Sequence, residues 1–220
     1  MLQVIDPVSQ LLPFTLASIA LAGTPGPGWM YTINRTLAFG RAAGIVSSFG
    51  TAFGISVHVL AVAVGVSALV QTSAVAFTIL KIVGAIYLFV LAYRALKNDS
   101  IMKPRLSERP LQLRRIFLES ALVNITNPKV ALFMLALLPQ FIRPAEGHVA
   151  EQLAILGLIY LLVATVVLVL VALVSEAIAQ KINASVLFRK AIRWMTAAVF
   201  GSFGIGLLLS QQRSLLDWGP

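Results

Sequence analysis

The hydrophobic positions of this chain fall in long unbroken runs separated by short polar intervals. They show neither the strict alternation of a half-buried strand nor the one-sided stripe of a soluble amphipathic helix. From Pro7 to Ile33 there is no charged residue at all. A helix crossing the hydrocarbon core of a bilayer needs roughly 20 consecutive apolar residues. On that measure the pattern predicts six spans, at about residues 9–33, 44–70, 73–93, 116–142, 152–175 and 194–211. The expected fold is an all-α integral membrane protein forming one transmembrane domain over residues 1–220, with no room for a sizeable soluble unit.

The polar stretch KNDSIMKPRLSE, residues 97–108, divides the spans three and three. Repeat one is placed at about 1–96, a cytoplasmic linker at 97–112 and repeat two at about 113–220. An odd number of crossings per half inverts the second half relative to the first, so the expected architecture is an inverted 3+3 repeat. The leading span of each half is broken at a matching depth, at TPGP (24–27) in the first and TNPK (126–129) in the second. Proline removes the donor to the carbonyl four residues back. The breaks therefore orphan the carbonyls of Leu21 and Gly23 in one half and of Asn124 in the other. Each such carbonyl in hydrocarbon costs several kcal/mol until protein, water or a ligand satisfies it. A lone proline break is more often a kink than a site. Matched Gly/Pro breaks in corresponding segments, accompanied by Asn124, Asn127 and Lys129, point to a transporter binding site.

Composition agrees with this class: 59% hydrophobic and 11% charged residues, and a mean hydropathy of +0.91. The net charge of +9 is read from its distribution. Thirteen of the seventeen Lys and Arg lie in three segments, at 35–41, 94–115 and 181–193, while the alternate loops and both termini hold few. That alternation is the positive-inside pattern for six crossings with both termini outside, with some attraction for anionic lipid on the cytoplasmic side. No basic segment carries interleaved aromatics or a recognition helix, so nucleic acid is excluded as a partner. The chain has no cysteine, which removes disulfides, thiolate metal sites and cysteine nucleophiles. Two histidines ninety residues apart, His58 and His148, make no metal cluster. No metal, cofactor or catalytic residue is expected.

The ionisable residues inside the spans carry the remaining chemistry. Lys129 lies roughly 20 Å from the cytoplasmic start of its span, too deep to snorkel, so a solute carboxylate, a freed carbonyl or an acid such as Glu119 should offset its cost. Lys81, about 10 Å from the outer face, reads evenly as a snorkelling or a functional residue. His58 shares a helical face with Gly50, Gly54, Ala61 and Gly65. That small-residue stripe reads first as a packing surface, with His58 an interhelical hydrogen bond and, second, a proton-coupling group. Glu119 and Glu176 read as interfacial charges, with Glu119 also a coupling candidate because it shares a helix with the second break. The glycines of GSFGIG (201–206) read as helix packing, since no strand-turn-helix surrounds them.

TPGPG, GRAAG (40–44), GTAFGISVH (50–58), LKIVGAIYL (80–88) and FLESALVNITNPKVALFMLALLPQF (117–141), in this order and spacing, resemble the LysE/RhtB family of amino-acid exporters over nearly the whole chain. The resemblance implies a bacterial inner-membrane, multi-pass exporter of amino acids or close derivatives, driven by proton motive force. By match, it assigns substrate binding and translocation to Pro25, Gly26, Pro27, Lys81, Asn124, Asn127, Pro128, Lys129 and Gln140. Pro139 and Phe141 complete the second signature. Three positions depart from the pattern: Gly28 stands where Asn or Asp is frequent, Ile55 where some members have Asp, and Ser120 where glycine is usual. The two lost acids weaken the case for a cationic solute.

The expected mechanism is alternating access. Helix N-termini at the breaks hold the solute carboxylate, and the breaks act as hinges as one half rocks against the other. His58, Glu119 and Lys129 are the proton-coupling candidates. A membrane-embedded enzyme is the rival reading, and it would need an acid-base pair that the sequence does not place; a channel or scaffold without coupling is the third. Glycine-lined helix faces leave a homodimer open.

Overall fold

A computed structural model describes residues 10–72, 74–97 and 112–216. Among them all regular structure is helical, in the order α1 (Leu12–Ala22), α2 (Pro27–Phe39), α3 (Arg41–Thr72), α4 (Ala74–Lys97), α5 (Leu113–Ile125), α6 (Pro128–Ala136), α7 (Val149–Leu173), α8 (Ser175–Ala184) and α9 (Val186–Leu216). Short 3₁₀ turns at Leu138–Phe141 and Pro144–Glu146 join α6 to α7. Most of the polar linker, residues 98–111, lies outside the described residues.

The prolines at the breaks, Pro25 and Pro27 in the first and Pro128 in the second, explain where the helices stop and restart. Gly23 closes α1 by donating to the carbonyl of Ile19 (2.8 Å), and Pro27 opens α2 behind an extended Gly26. Pro128 likewise occupies the first turn of α6, where its missing N–H costs nothing. Asn127 caps α6 with its side chain, which accepts from the Lys129 N–H at 3.1 Å. The axis bends by 52° between α5 and the segment Pro128–Phe141.

Among the described residues, the stretches Arg41–Val66 of α3 and Val149–Leu173 of α7 are long and apolar enough to cross a membrane, and α5 with Pro128–Phe141 makes a third such span when the bend is allowed. α1 is a shorter apolar helix, and the expected span at 9–33 is divided between it and α2. The expected spans at 73–93 and 194–211 fall on α4 and α9. The polar helix α8, which contains Glu176, has no counterpart among the expected spans.

Packing runs mainly between the two halves. The most extensive contacts pair α4 with α9, α3 with α7 and α3 with α5, whereas α3 and α4 of the first half touch little. The α3–α5 contact depends on glycine. A Cβ on Gly50 would collide with the Ser120 hydroxyl and the Phe117 carbonyl, and one on Gly54 would stand 2.7 Å from the Asn124 Cβ. The small-residue stripe is used for packing only along this length: Ala61 is exposed and Gly65 has nothing within 4 Å of a Cβ position. Phe133 of α6 centres an aromatic cluster with Phe14 of α1 (6.4 Å between ring centroids), Tyr160 of α7 (4.8 Å) and Phe203 of α9 (6.3 Å).

Candidate functional site

The first break is held open by hydrogen bonds that its own sequence supplies. The Thr24 hydroxyl donates to the carbonyl of Ala20 (2.8 Å), and the indole N–H of Trp29 reaches back across the break to the carbonyl of Ala22 (2.8 Å). The Leu21 carbonyl, which Pro25 deprives of its α-helical donor, accepts from Thr24 N–H at 3.1 Å. It accepts a second time, from the Nζ of Lys129 at 3.1 Å, and the same ammonium donates to the Thr24 carbonyl at 2.6 Å. Lys129 thus spends its charge on carbonyls of the opposite break. Its Nζ also lies 5.7 Å from the centre of the Phe200 ring, within the range of a cation–π contact.

Gly26 makes this reach possible. A Cβ there would stand 3.3 Å from the Lys129 Cδ and 3.5 Å from its Nζ, pressing directly on the side chain. At the second break the Asn124 carbonyl, freed by Pro128, accepts from Asn127 N–H at 2.9 Å and lies 3.1 Å from the His58 Nε2 of α3. His58 is therefore the interhelical hydrogen bond expected as its first reading.

Both breaks open on one cavity of about 40 Å³, several times the roughly 10–15 Å³ a single water needs. Its polar wall is formed by Gly26, Gly28, Thr51, Asn124, Asn127 and Lys129; Leu21, Ile55 and Tyr160 are on the apolar side. Of the residues singled out in the sequence, Gly26, Asn124, Asn127 and Lys129 come together here. Pro25, Pro27 and Pro128 shape the breaks without lining the cavity. Lys81 lies on α4, and its side chain falls outside the described residues. Gln140 sits in the 3₁₀ turn beyond α6, its backbone N–H donating to the Leu137 carbonyl (3.0 Å). Thr51 and Trp29 were not singled out. Thr51 lies within GTAFG, where the glycines suggested packing alone, and a tryptophan in an apolar run carries no signal of its own.

Glu119 stands apart from Lys129, midway along α5. Its carboxylate accepts from the Tyr31 hydroxyl (2.7 Å) and the Arg35 guanidinium (3.0 Å), both on α2, and from Arg115 on its own helix (2.8 Å). Arg35 in turn stacks over the Tyr31 ring at 4.6 Å. At the opposite end of the broken helices, the Gln10 side chain donates to the Phe141 carbonyl (2.7 Å) and to Gln152 (3.4 Å). Fully buried Gln152 ties down the loop before α7, bonding Arg143 N–H, Arg143 carbonyl and Gly147 carbonyl at 2.8, 3.1 and 2.8 Å. The cavity lies between these two links, each of which joins the first half of the chain to the second.

The chain is similar in sequence to known membrane and efflux proteins. A homoserine/homoserine lactone efflux protein of Salmonella typhimurium is 32% identical over 203 residues, which cover 91% of this chain and 95% of that one. A leucine efflux protein of Salmonella choleraesuis is 26% identical over 145 residues, 66% of this chain and 68% of the relative. A membrane protein of Vibrio cholerae is 31% identical over 147 residues, 67% of this chain and 71% of its own length. No solved structure matches the chain. The family model described as LysE type translocator matches residues 19–211, so nearly the whole molecule, both breaks included, belongs to the LysE type translocator family.

Proposed function

We propose that this protein exports a small amino-acid-like solute across the bacterial inner membrane by alternating access, driven by proton motive force. The observation that carries the reading is the meeting of the two breaks at one cavity, with Lys129 of the second half bonded to the Leu21 and Thr24 carbonyls of the first. The relatives named as homoserine and leucine efflux proteins support the direction of transport and the solute class. The solute carboxylate is placed at the N-terminus of α2, where the first-turn N–H groups have no intrahelical partner and the helix dipole is positive. Asn124, Asn127 and Lys129 complete the site, and His58, Glu119 and Lys129 are the groups through which a proton is coupled.

The six crossings form an inverted 3+3 repeat with both termini outside. The arrangement is supported by the charge alternation and by the reciprocal packing of α3 with α7 and α4 with α9. The breaks act as hinges as one half rocks against the other, opening the cavity to each face in turn. The Glu119 cluster and the Gln10–Gln152 link are then the inner and outer ties that break in turn.

The test is loss of preloaded radiolabelled amino acids from intact cells with and without the expressed protein, repeated with an uncoupler. Expression-dependent, uncoupler-sensitive efflux supports the reading; a broad panel with none removes it.

A further inference from the structure

The cavity wall contains two buried oxygens that nothing among the described residues satisfies. Thr51 and Asn124 are each only 2% exposed, and neither the Thr51 Oγ1 nor the Asn124 Oδ1 has a hydrogen-bond partner. A buried polar group left unpaired is costly and rarely kept without a role. Both residues line the cavity, and both face the space over Gly28. A Cβ at position 28 would stand 3.6 Å from the Thr51 Cγ2, 3.9 Å from its Oγ1 and 4.0 Å from the Asn124 Nδ2. Among the described residues the cavity has one charged lining residue, Lys129, and no carboxylate.

We propose that the space over Gly28, walled by Thr51 and Asn124, is the subsite that selects the solute's side chain by size and by neutral hydrogen bonding. This rests on the exporter reading above and deepens it. A hydroxyl and an amide offer donors and acceptors without charge, so they complete their hydrogen bonds with a short side chain that both donates and accepts. Purely apolar side chains leave the two oxygens unpaired. Cationic ones find no carboxylate and meet the Lys129 ammonium. Gly28 sets the depth: any side chain there would occupy the volume that the solute uses.

Gly28→Ala is a clean probe. The nearest atom to its new methyl lies at an ordinary contact distance, and alanine suits a helix better than glycine. Thr51→Val keeps the shape of the side chain and removes its hydroxyl. Export from loaded cells, and thermal-shift binding to the purified full-length protein, are measured for alanine, threonine, valine, lysine and phenylalanine. Wild type should prefer threonine over its isostere valine by at least roughly tenfold and reject lysine and phenylalanine. Gly28→Ala should shift the threonine-to-alanine ratio toward alanine by a similar factor, and Thr51→Val should bring the threonine-to-valine ratio toward one. Ratios that do not move in either variant, with export intact, overturn the subsite and leave the exporter reading standing. Binding ratios that move as expected without any export support the subsite and count against the exporter reading. Absence of both export and binding overturns both.

Discussion

The ammonium of Lys129 stands 3.1 Å from the carbonyl oxygen of Leu21, the group that Pro25 leaves without its α-helical donor 108 residues earlier in the chain. A lysine at bilayer depth costs on the order of 2.5–3.5 kcal/mol on insertion scales, and a buried carbonyl left unpaired, as that of Thr24 would be without the 2.6 Å bond from Nζ, costs about 1–3 kcal/mol. The two penalties offset one another across the halves. Lys129→Met keeps most of the stem and removes the charge, so the relief of one penalty roughly cancels the return of the other. The expected result is a melting temperature in detergent within a few degrees of wild type, together with at least a tenfold loss of solute export. A variant that exports at the wild-type rate would remove Lys129 from the site.

The close approach of α3 and α5 makes a second prediction about stability alone. Gly50→Ala drives a methyl into the Ser120 hydroxyl and the Phe117 carbonyl, and the backbone of α5 has to move. Overpacking of this kind costs typically about 1–3 kcal/mol. Gly65→Ala, on the same helix with nothing within 4 Å, should be neutral or slightly stabilising. Thermal unfolding of the two variants in the same detergent checks the contrast, and equal midpoints would contradict it.

Much of this site was legible in the sequence because proline states its consequence at a fixed offset. Pro25 and Pro128 name Leu21 and Asn124 as the carbonyls to be satisfied, and a deep lysine names its own need for a partner. What satisfied them was less legible. Glu119 looked available to Lys129, but which neighbour it meets depends on the rotation of α5, and that rotation gives it to Tyr31 and Arg35 instead. Thr51 was hidden by its neighbours: in GTAFG the glycines explain the helix contact so completely that the hydroxyl between them attracts no notice. The division of the first span into α1 and α2 follows from TPGPG, whereas α8 has only ten residues and little apolar character to announce it.

The absence of native cysteine allows the proposed topology to be tested without background. Gln112 and Glu151 are both exposed, at the start of α5 and in the first turn of α7. With both termini outside, Gln112→Cys should react with a membrane-impermeant maleimide only in everted vesicles, and Glu151→Cys only in intact cells. Reaction of both from the same face would rule out six crossings of alternating sense.

The Glu119 cluster leads to the last prediction, which separates a tie between the halves from an ordinary surface salt bridge. Tyr31 and Arg35 reach Glu119 from α2, whereas Arg115 reaches it from α5 itself and is 68% exposed. Removing Arg115 therefore leaves the α2–α5 link intact. Glu119→Gln replaces one carboxylate oxygen by an amide donor facing cationic donors, and the link is weakened from both sides. Partly exposed ion pairs of this kind are worth up to about 1 kcal/mol, which corresponds to roughly a fivefold change in a two-state population. In a Thr51→Cys background the thiol reports access to the cavity. Maleimide labelling from the face at which Gln112→Cys reacts should rise about fivefold on adding Glu119→Gln and stay unchanged on adding Arg115→Gln. An equal rise with both would mean that the cluster acts through local charge and not as a link between α2 and α5. No rise with Glu119→Gln would mean that α2 and α5 do not separate there, and entry to the cavity would have to be sought between other helices.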